Sequence, residues 1–228
     1  MDRLRILAAM GIAVSLLFIA CKKSTVEETP SGSILVDIDG NQYDSIRIGS
    51  QVWMKQNLRT TRYQDGSAIV TGLSNDQWIA ATGGAYAMPL NDASLDGTYG
   101  KIYNGFAVLN PKGLCPKGWR VPNDQDWETL IQFLGGLNVA GGKMKTTTEW
   151  VSPNVGATNS SGFTAYPAGI RDGLFGDFSD KKDGAIFWSS TVQSSGTLKA
   201  YGIQWRYASV YRTAFDKDNG SSCRCILN

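Results

Sequence analysis

Four cysteines, 20 aspartates and glutamates and no histidine set the limits on what this 228-residue chain can do. Without an imidazole there is no Ser-His or Cys-His nucleophile, no His-ligated zinc or iron, and no side chain titrating unperturbed near neutral pH as a general base. A serine activated by lysine needs a Ser-x-x-Lys context, which Ser189-Ser190-Thr191 lacks. Two carboxylates could still cleave a glycosidic bond, and Glu149, Asp172 and Asp177 are the candidates, but no spacing singles out a pair at a working separation. The chain therefore reads as non-enzymatic and as needing no cofactor.

Carboxylates also invite calcium. They gather at Asp37-x-Asp39-Gly40-Asn41, at Asp216-x-Asp218-Asn219-Gly220, and around Asp172, Asp177, Asp180 and Asp183. In the first two the Gly comes too early for an EF-hand, and the twelfth positions are Ile48 and Leu227 where a bidentate Glu is required. Both are expected to be hairpin turns. Lys181 and Lys182 interrupt the third group and weaken any hold on a cation, so a solvated loop is expected there and no metal site. The 22 Lys and Arg form no basic block and leave a formal charge of only +2, which removes nucleic acid as a partner.

The richest surface candidate is the run Tyr201, Trp205, Arg206, Tyr207, Tyr211, Arg212. Strand alternation places Tyr201, Ile203, Trp205 and Tyr207 on one face, with Gln204 and Arg206 on the other. An aromatic face of this kind is first of all core, Trp205 included. The binding reading assigns ligand contacts to Arg206, Tyr207, Tyr211 and Arg212, whose rings stack and whose guanidinium forks hydrogen-bond sugar hydroxyls or carboxylates.

These residues need a compartment and a scaffold. Asp2, Arg3 and Arg5 precede an apolar run, Ile6 to Ala20, that is too short to span a bilayer comfortably and has the form of a secretory signal. Its end, Leu17-Phe18-Ile19-Ala20-Cys21, resembles a bacterial lipoprotein cleavage box, with Phe18 where Leu is usual. Residues 1–20 are therefore expected to be a signal peptide, Cys21 the lipidated residue that anchors the protein to the membrane, and 21–33 a flexible tether. No Asp follows Cys21, which favours the outer membrane. Glu27 and Glu28 behind Lys22 and Lys23 form a loose surface-export pattern.

Beyond the tether, 42% hydrophobic and 18% charged residues describe a chain able to bury a core. Ile34, Val36 and Ile38, the turn Asp39-Gly40-Asn41, and Tyr43 to Ile48 predict a hairpin, and Val52 to Leu58 a further strand. Residues 59–110 read as long, ordered loops. Asn123, Asp124 and Asp126, followed by Trp127, Leu130, Ile131 and Leu134 and stopped at Gly135-Gly136, predict one clear helix. A weaker helix is expected over Leu137 to Lys145, with strands at Ala185 to Ser190, Leu198 to Trp205, Val210 to Phe215 and Ser222 to Leu227. Antiparallel strands at both ends, with helices between them, make residues 34–228 a single α+β domain.

Five ordered blocks add a resemblance. They are Gln51-Val52-Trp53-Met54-Lys55-Gln56-Asn57-Leu58; Tyr99-Gly100-Lys101-Ile102-Tyr103-Asn104; Leu114 to Pro122 leading to Asp126-Trp127; Gly156 to Phe163; and Phe187-Trp188-Ser189-Ser190-Thr191. Together they resemble the Fibrobacter succinogenes major paralogous domain, a family of largely secreted proteins and lipoproteins with no defined activity. The resemblance implies a C-type lectin-like fold in which the terminal strands meet and a long loop region projects. The calcium-binding Glu-Pro-Asn, Gln-Pro-Asp and Trp-Asn-Asp motifs of true C-type lectins are absent, so calcium-dependent sugar binding is not implied.

Where the family usually ends in Gly-Ser-Val-Arg-Cys, this chain has Ser221-Ser222-Cys223-Arg224-Cys225, which puts Cys225 at the family position. In an exported protein two of the three remaining cysteines should pair. Cys223 and Cys225 are awkwardly placed to bridge each other, so Cys115 with Cys225 is the better pair and Cys223 the odd thiol. The alternative is a Cys-x-Cys thiolate site for a soft metal, or a thiol-oxidising centre like that of the formylglycine-generating enzymes, and both require reduced thiols outside the cytoplasm. The expected function is a lipid-anchored envelope module that binds a glycan or a protein. A structural or assembly lipoprotein is the second reading, and an enzyme related to the formylglycine-generating group the third.

Overall fold

The computed structural model describes residues 34–228. The expected signal peptide 1–20, the lipidation site Cys21 and the tether to residue 33 lie outside the described residues. Among the described residues no helix is long and apolar enough to cross a membrane.

The chain opens with β1 (Leu35–Val36), β2 (Gln42–Tyr43), β3 (Ser45–Ile48), β4 (Gln51–Met54), α1 (Asn75–Ile79) and β5 (Tyr86–Ala87). It continues through α2 (Asp96–Tyr99), β6 (Ile102–Asn104), α3 (Gly105–Val108), β7 (Trp119–Arg120), α4 (Asp124–Phe133) and α5 (Leu137–Met144). It closes with β8 (Ile170–Arg171), β9 (Phe178–Ser179), β10 (Gly184–Val192), β11 (Thr197–Gln204), β12 (Val210–Asp216), β13 (Gly220–Ser222) and β14 (Ile226–Leu227).

This is an α+β fold built around two sheets. In the larger, β10, β11 and β12 form an antiparallel meander, and β13 joins β10 to β6, β5 and β8. The smaller sheet runs β3-β4-β14-β7, so the last strand pairs with one of the first through Ile226 and Trp53. β1 and β2 form the expected hairpin.

The C-terminal segment does not form the single strand expected from Ser222 to Leu227. It leaves one sheet at Ser222 and enters the other at Ile226, because the Arg224 side chain turns inward to donate to the carbonyl oxygens of Met54, Phe163, Thr164 and the Asn57 amide. Tyr43 to Ile48 is likewise broken, at Asp44, whose amide is satisfied by Gln56 Oε1. The strand expected to reach Leu58 ends at Met54. Residues 59–110 hold β5, β6 and α1 to α3, elements of two to five residues that are too short to show a period.

α4 forms as expected. Asn123 Oδ1 accepts from the Asp126 amide, the Asp126 carboxylate accepts from the Asn123 amide, and Trp127, Leu130 and Ile131 are fully buried. α5 also forms despite Gly141 and Gly142, and those two glycines have a packing role. A Cβ on Gly141 would lie 2.4 Å from the Ser209 carbonyl oxygen, and one on Gly142 would lie 2.3 Å from that of Gly156. The residues that weaken the helix intrinsically are thus the ones that let it touch the turn after β11 and the backbone at Gly156.

Two core clusters fill the space between the layers. One surrounds Trp188, Tyr103, Trp119 and the cysteines; the other surrounds Trp53, Trp127, Phe163, Phe187 and Tyr201. The Cys115–Cys225 disulfide forms and ties the loop before α4 to the start of β14, with Cys223 buried and free. Arg171, Arg224 and Lys145 are each no more than 1% exposed, and among the described residues none has a carboxylate partner. Carbonyl oxygens and ring faces hold them instead: Arg171 lies over Trp78 and Phe178, and Arg224 over Phe163 and Phe187.

Candidate functional site

β11 ends at Gln204, so the strand alternation that orders Tyr201 and Ile203 stops before Trp205. Tyr201 and Ile203 are core, at 1% exposure each, whereas Trp205 is half-buried against the edge of the second cluster. Beyond it the chain turns back into β12, and this turn carries Arg206 and Tyr207 to the surface.

Arg206, Tyr207 and Tyr211 converge on one cavity of ≈ 220 Å³, whose other walls include Asp180, Asp183, Gln204 and Trp205. The Arg206 guanidinium lies over the Trp205 ring, 4.9 Å from its centroid. Tyr207 is 53% exposed, and Tyr211 rests its ring on Gly202, where a Cβ would not fit. The Asp180 backbone takes a left-handed φ of 59°, its carbonyl accepts from the amides of Asp183 and Gly184, and both aspartates line the same cavity. Partial burial raises the Asp180 pKa and Asp183 raises it further; the Tyr211 hydroxyl is pushed up by burial and by Asp180.

Arg212 does not join this group. Next to Tyr211 on β12 it faces the other way, pairs with Glu128 at 3.2 Å, and borders a separate cavity of ≈ 240 Å³ with Lys199, Tyr201 and Asp124. There Asp124 accepts from Tyr201 and Lys199 and fixes the start of α4 to the sheet, a structural task. Of the four residues picked out by aromatic and arginine density, the fold therefore brings three together and sends the fourth to the opposite face.

Asp180, Asp183 and Gln204 complete the cavity and were not assigned to it from the sequence. The signal available was the group of acids itself, which has no periodicity linking it to β11 and β12. Below the turn lies Lys145, also unassigned, whose Nζ donates to the carbonyls of Val155, Gln204, Trp205 and Tyr207.

The other candidates resolve into structure. Asp37 accepts from the amides of Asp39 and Asn41 and from the Tyr43 hydroxyl, which makes the first acidic group a turn. The group at Asp216 is the turn between β12 and β13. The sulfur atoms of Cys115, Cys223 and Cys225 lie within 4.8 Å of one another, but the disulfide engages Cys225, and burial pushes the Cys223 thiol up to about 12. In this oxidised form the Cys-x-Cys pair offers no second thiolate.

A meander with α4 and α5 packed on it, the Cys115–Cys225 tie and a buried Arg224 beside the last cysteine define the domain. The family model of the Fibrobacter succinogenes major domain matches residues 46–227, most of the chain. The protein belongs to that family. No curated protein and no solved structure matches it.

Proposed function

We propose that this protein is a non-catalytic binding module of the cell envelope, C-type lectin-like in architecture, held at the outer membrane by a lipid on Cys21, and that the cavity at Arg206, Tyr207 and Tyr211 takes one sugar unit of a glycan. One observation carries the reading. Asp180, Asp183, Gln204, Arg206, Tyr207 and Tyr211 line a single small cavity, and among the described residues none of them makes a side-chain hydrogen bond or ion pair within the protein. Asp180, Asp183, Arg206, Tyr207 and Tyr211 are exposed, so their polar groups face solvent and can meet a ligand without breaking an internal bond. Here donors, acceptors and two ring faces are left open together, a combination suited to a polyhydroxylated ring.

The second reading, an assembly lipoprotein that binds a protein, is favoured by a different feature. Leu174 and Phe175, at 71% and 65% exposure, stand on a turn held by the Asp172 carboxylate, which accepts from both of their amides. A glycan array probed with the full-length protein, run beside an affinity pull-down from the native envelope, separates the two. Glycan retention lost in Tyr207→Ala and Arg206→Ala but kept in Arg212→Ala supports the cavity. Retention of no glycan, with capture of an envelope complex that depends on Leu174 and Phe175, overturns it in favour of assembly.

A further inference from the structure

Lys145 is 0% exposed and directly follows α5 in extended conformation. Its Nζ lies 2.9 Å from the carbonyl oxygens of Val155 and Tyr207, 3.2 Å from that of Gln204 and 3.3 Å from that of Trp205. Three N–H groups thus meet four oxygens. The Trp150 ring, 5.4 Å away at its centroid, also faces the ammonium, and among the described residues no acid or base acts on it; burial lowers its pKa to about 8.

Four carbonyl dipoles with their negative ends around one point repel unless a cation sits there. Three of these carbonyls belong to the turn of the candidate site, on either side of Arg206 and at Tyr207 itself. The fourth belongs to Val155, whose amide in turn donates to the Trp205 carbonyl. The turn has few other ties: the Trp205 amide donates to the Asp183 carbonyl, the Tyr207 amide reaches the Gln204 carbonyl at 3.4 Å, and the Ala208 carbonyl accepts from Gly142. A lysine that only filled space would lie along apolar side chains and send its charged end to water. This one brings its charge inward to a point where main-chain oxygens alone hold it.

We propose that Lys145 is the positioning residue of the cavity, a built-in monovalent cation that draws the carbonyls of Gln204, Trp205 and Tyr207 onto Val155 and so fixes where Arg206 and Tyr207 stand. This rests on reading the cavity as the binding site, but its test needs no ligand. In full-length Lys145→Ala, amide hydrogen exchange in the peptide covering 204–208 should speed up by about tenfold or more while peptides of β10 and of the Arg224 segment keep their protection. Ammonium or potassium chloride should restore that protection, because either ion fits the vacated cage. Tetramethylammonium chloride at the same ionic strength should not, because its methyl groups cannot approach the oxygens.

Unchanged exchange, loosening spread evenly over the domain, or equal recovery in all three salts would overturn the proposal. If Lys145→Ala does not fold, Lys145→Met keeps the stem volume and removes the donors. Loosening confined to 204–208 then supports the assignment, and even loosening refutes it. Whether wild-type protein retains a glycan on an array is a separate result, so the positioning role and the binding reading can fail independently.

Discussion

Gly202 and Tyr211 face each other across the β11–β12 pair so closely that a Cβ on Gly202 would fall 1.9 Å from the Tyr211 Cζ. The missing side chain on β11 is the seat of the ring on β12, and the ring is one wall of the cavity. Gly202→Ala should therefore displace Tyr211, whose ring supplies the nearest atoms to the added Cβ, and overpacking of this kind typically costs about 1 to 3 kcal/mol. A double-mutant cycle with Tyr211→Ala checks it: the two changes should be strongly non-additive, because the alanine at 202 has nothing to collide with once the ring is gone. Additive losses would mean that Tyr211 does not rest there.

Arg224 is expected to be irreplaceable by lysine. Its guanidinium donates to the carbonyl oxygens of Met54, Phe163, Thr164 and the Asn57 side chain, and lies 4.4 Å from the Phe163 ring centroid. Lysine carries the charge but cannot spread its donors over that fan. Arg224→Lys and Asn57→Ala should each lower stability by about 3 kcal/mol or more, the range seen when a buried charge loses its partners. Chemical denaturation of both variants is the measurement, and a loss below about 1 kcal/mol in either would contradict the account.

The three sulfurs predict an asymmetry between the two halves of the disulfide. Closing 110 residues contributes about 4 to 5 kcal/mol in the chain-entropy model, and Cys115→Ser should lose that stabilisation outright. Cys225→Ser should lose much less, because the Cys223 sulfur lies within 4.8 Å and can close almost the same loop with Cys115. Thiol counting in a Cys21→Ser background decides the matter. Cys225→Ser should show no free thiol once oxidised, and two free thiols with a stability equal to that of Cys115→Ser would refute the prediction.

How much of this was legible follows from element length. α4 announced itself by a cap, a period and a double-glycine stop, and β10 to β12 by runs of strand-forming residues set off by turn signals. α1 was missed although Ser74 and Gln77 spell out its capping box, because five residues contain no repeat. The disulfide was reached through the cysteine position of the family and the poor geometry of Cys223 with Cys225. The site was legible only in part. Aromatic and arginine density found Arg206, Tyr207 and Tyr211, but adjacent strand residues point to opposite faces, which separated Arg212 from them. Asp180 and Asp183 reach the cavity through a loop crossing that no local pattern encodes. Lys145 had no sequence signal at all, since its partners are main-chain oxygens that any residue supplies.

The last prediction concerns alkaline pH, where two buried groups act in opposite directions. Burial lowers the Lys145 pKa from 10.5 to about 8, so between those values the unfolded chain binds more protons than the native one. Stability from this group then rises with pH across that window, by about 3.5 kcal/mol at most at about 1.4 kcal/mol per unit. Cys223 does the reverse. Its pKa is raised from 9.0 to about 12 by burial, so it contributes stability that is fully present below pH 9 and is lost as pH climbs toward 12. Thermal melts from pH 7 to 11 separate them through single variants. The stability of wild type relative to Lys145→Met should increase between pH 8 and 10, and that relative to Cys223→Ala should decrease above pH 9. If the first difference stays flat with pH, Lys145 keeps its ordinary pKa and the carbonyl cage holds its charge without penalty.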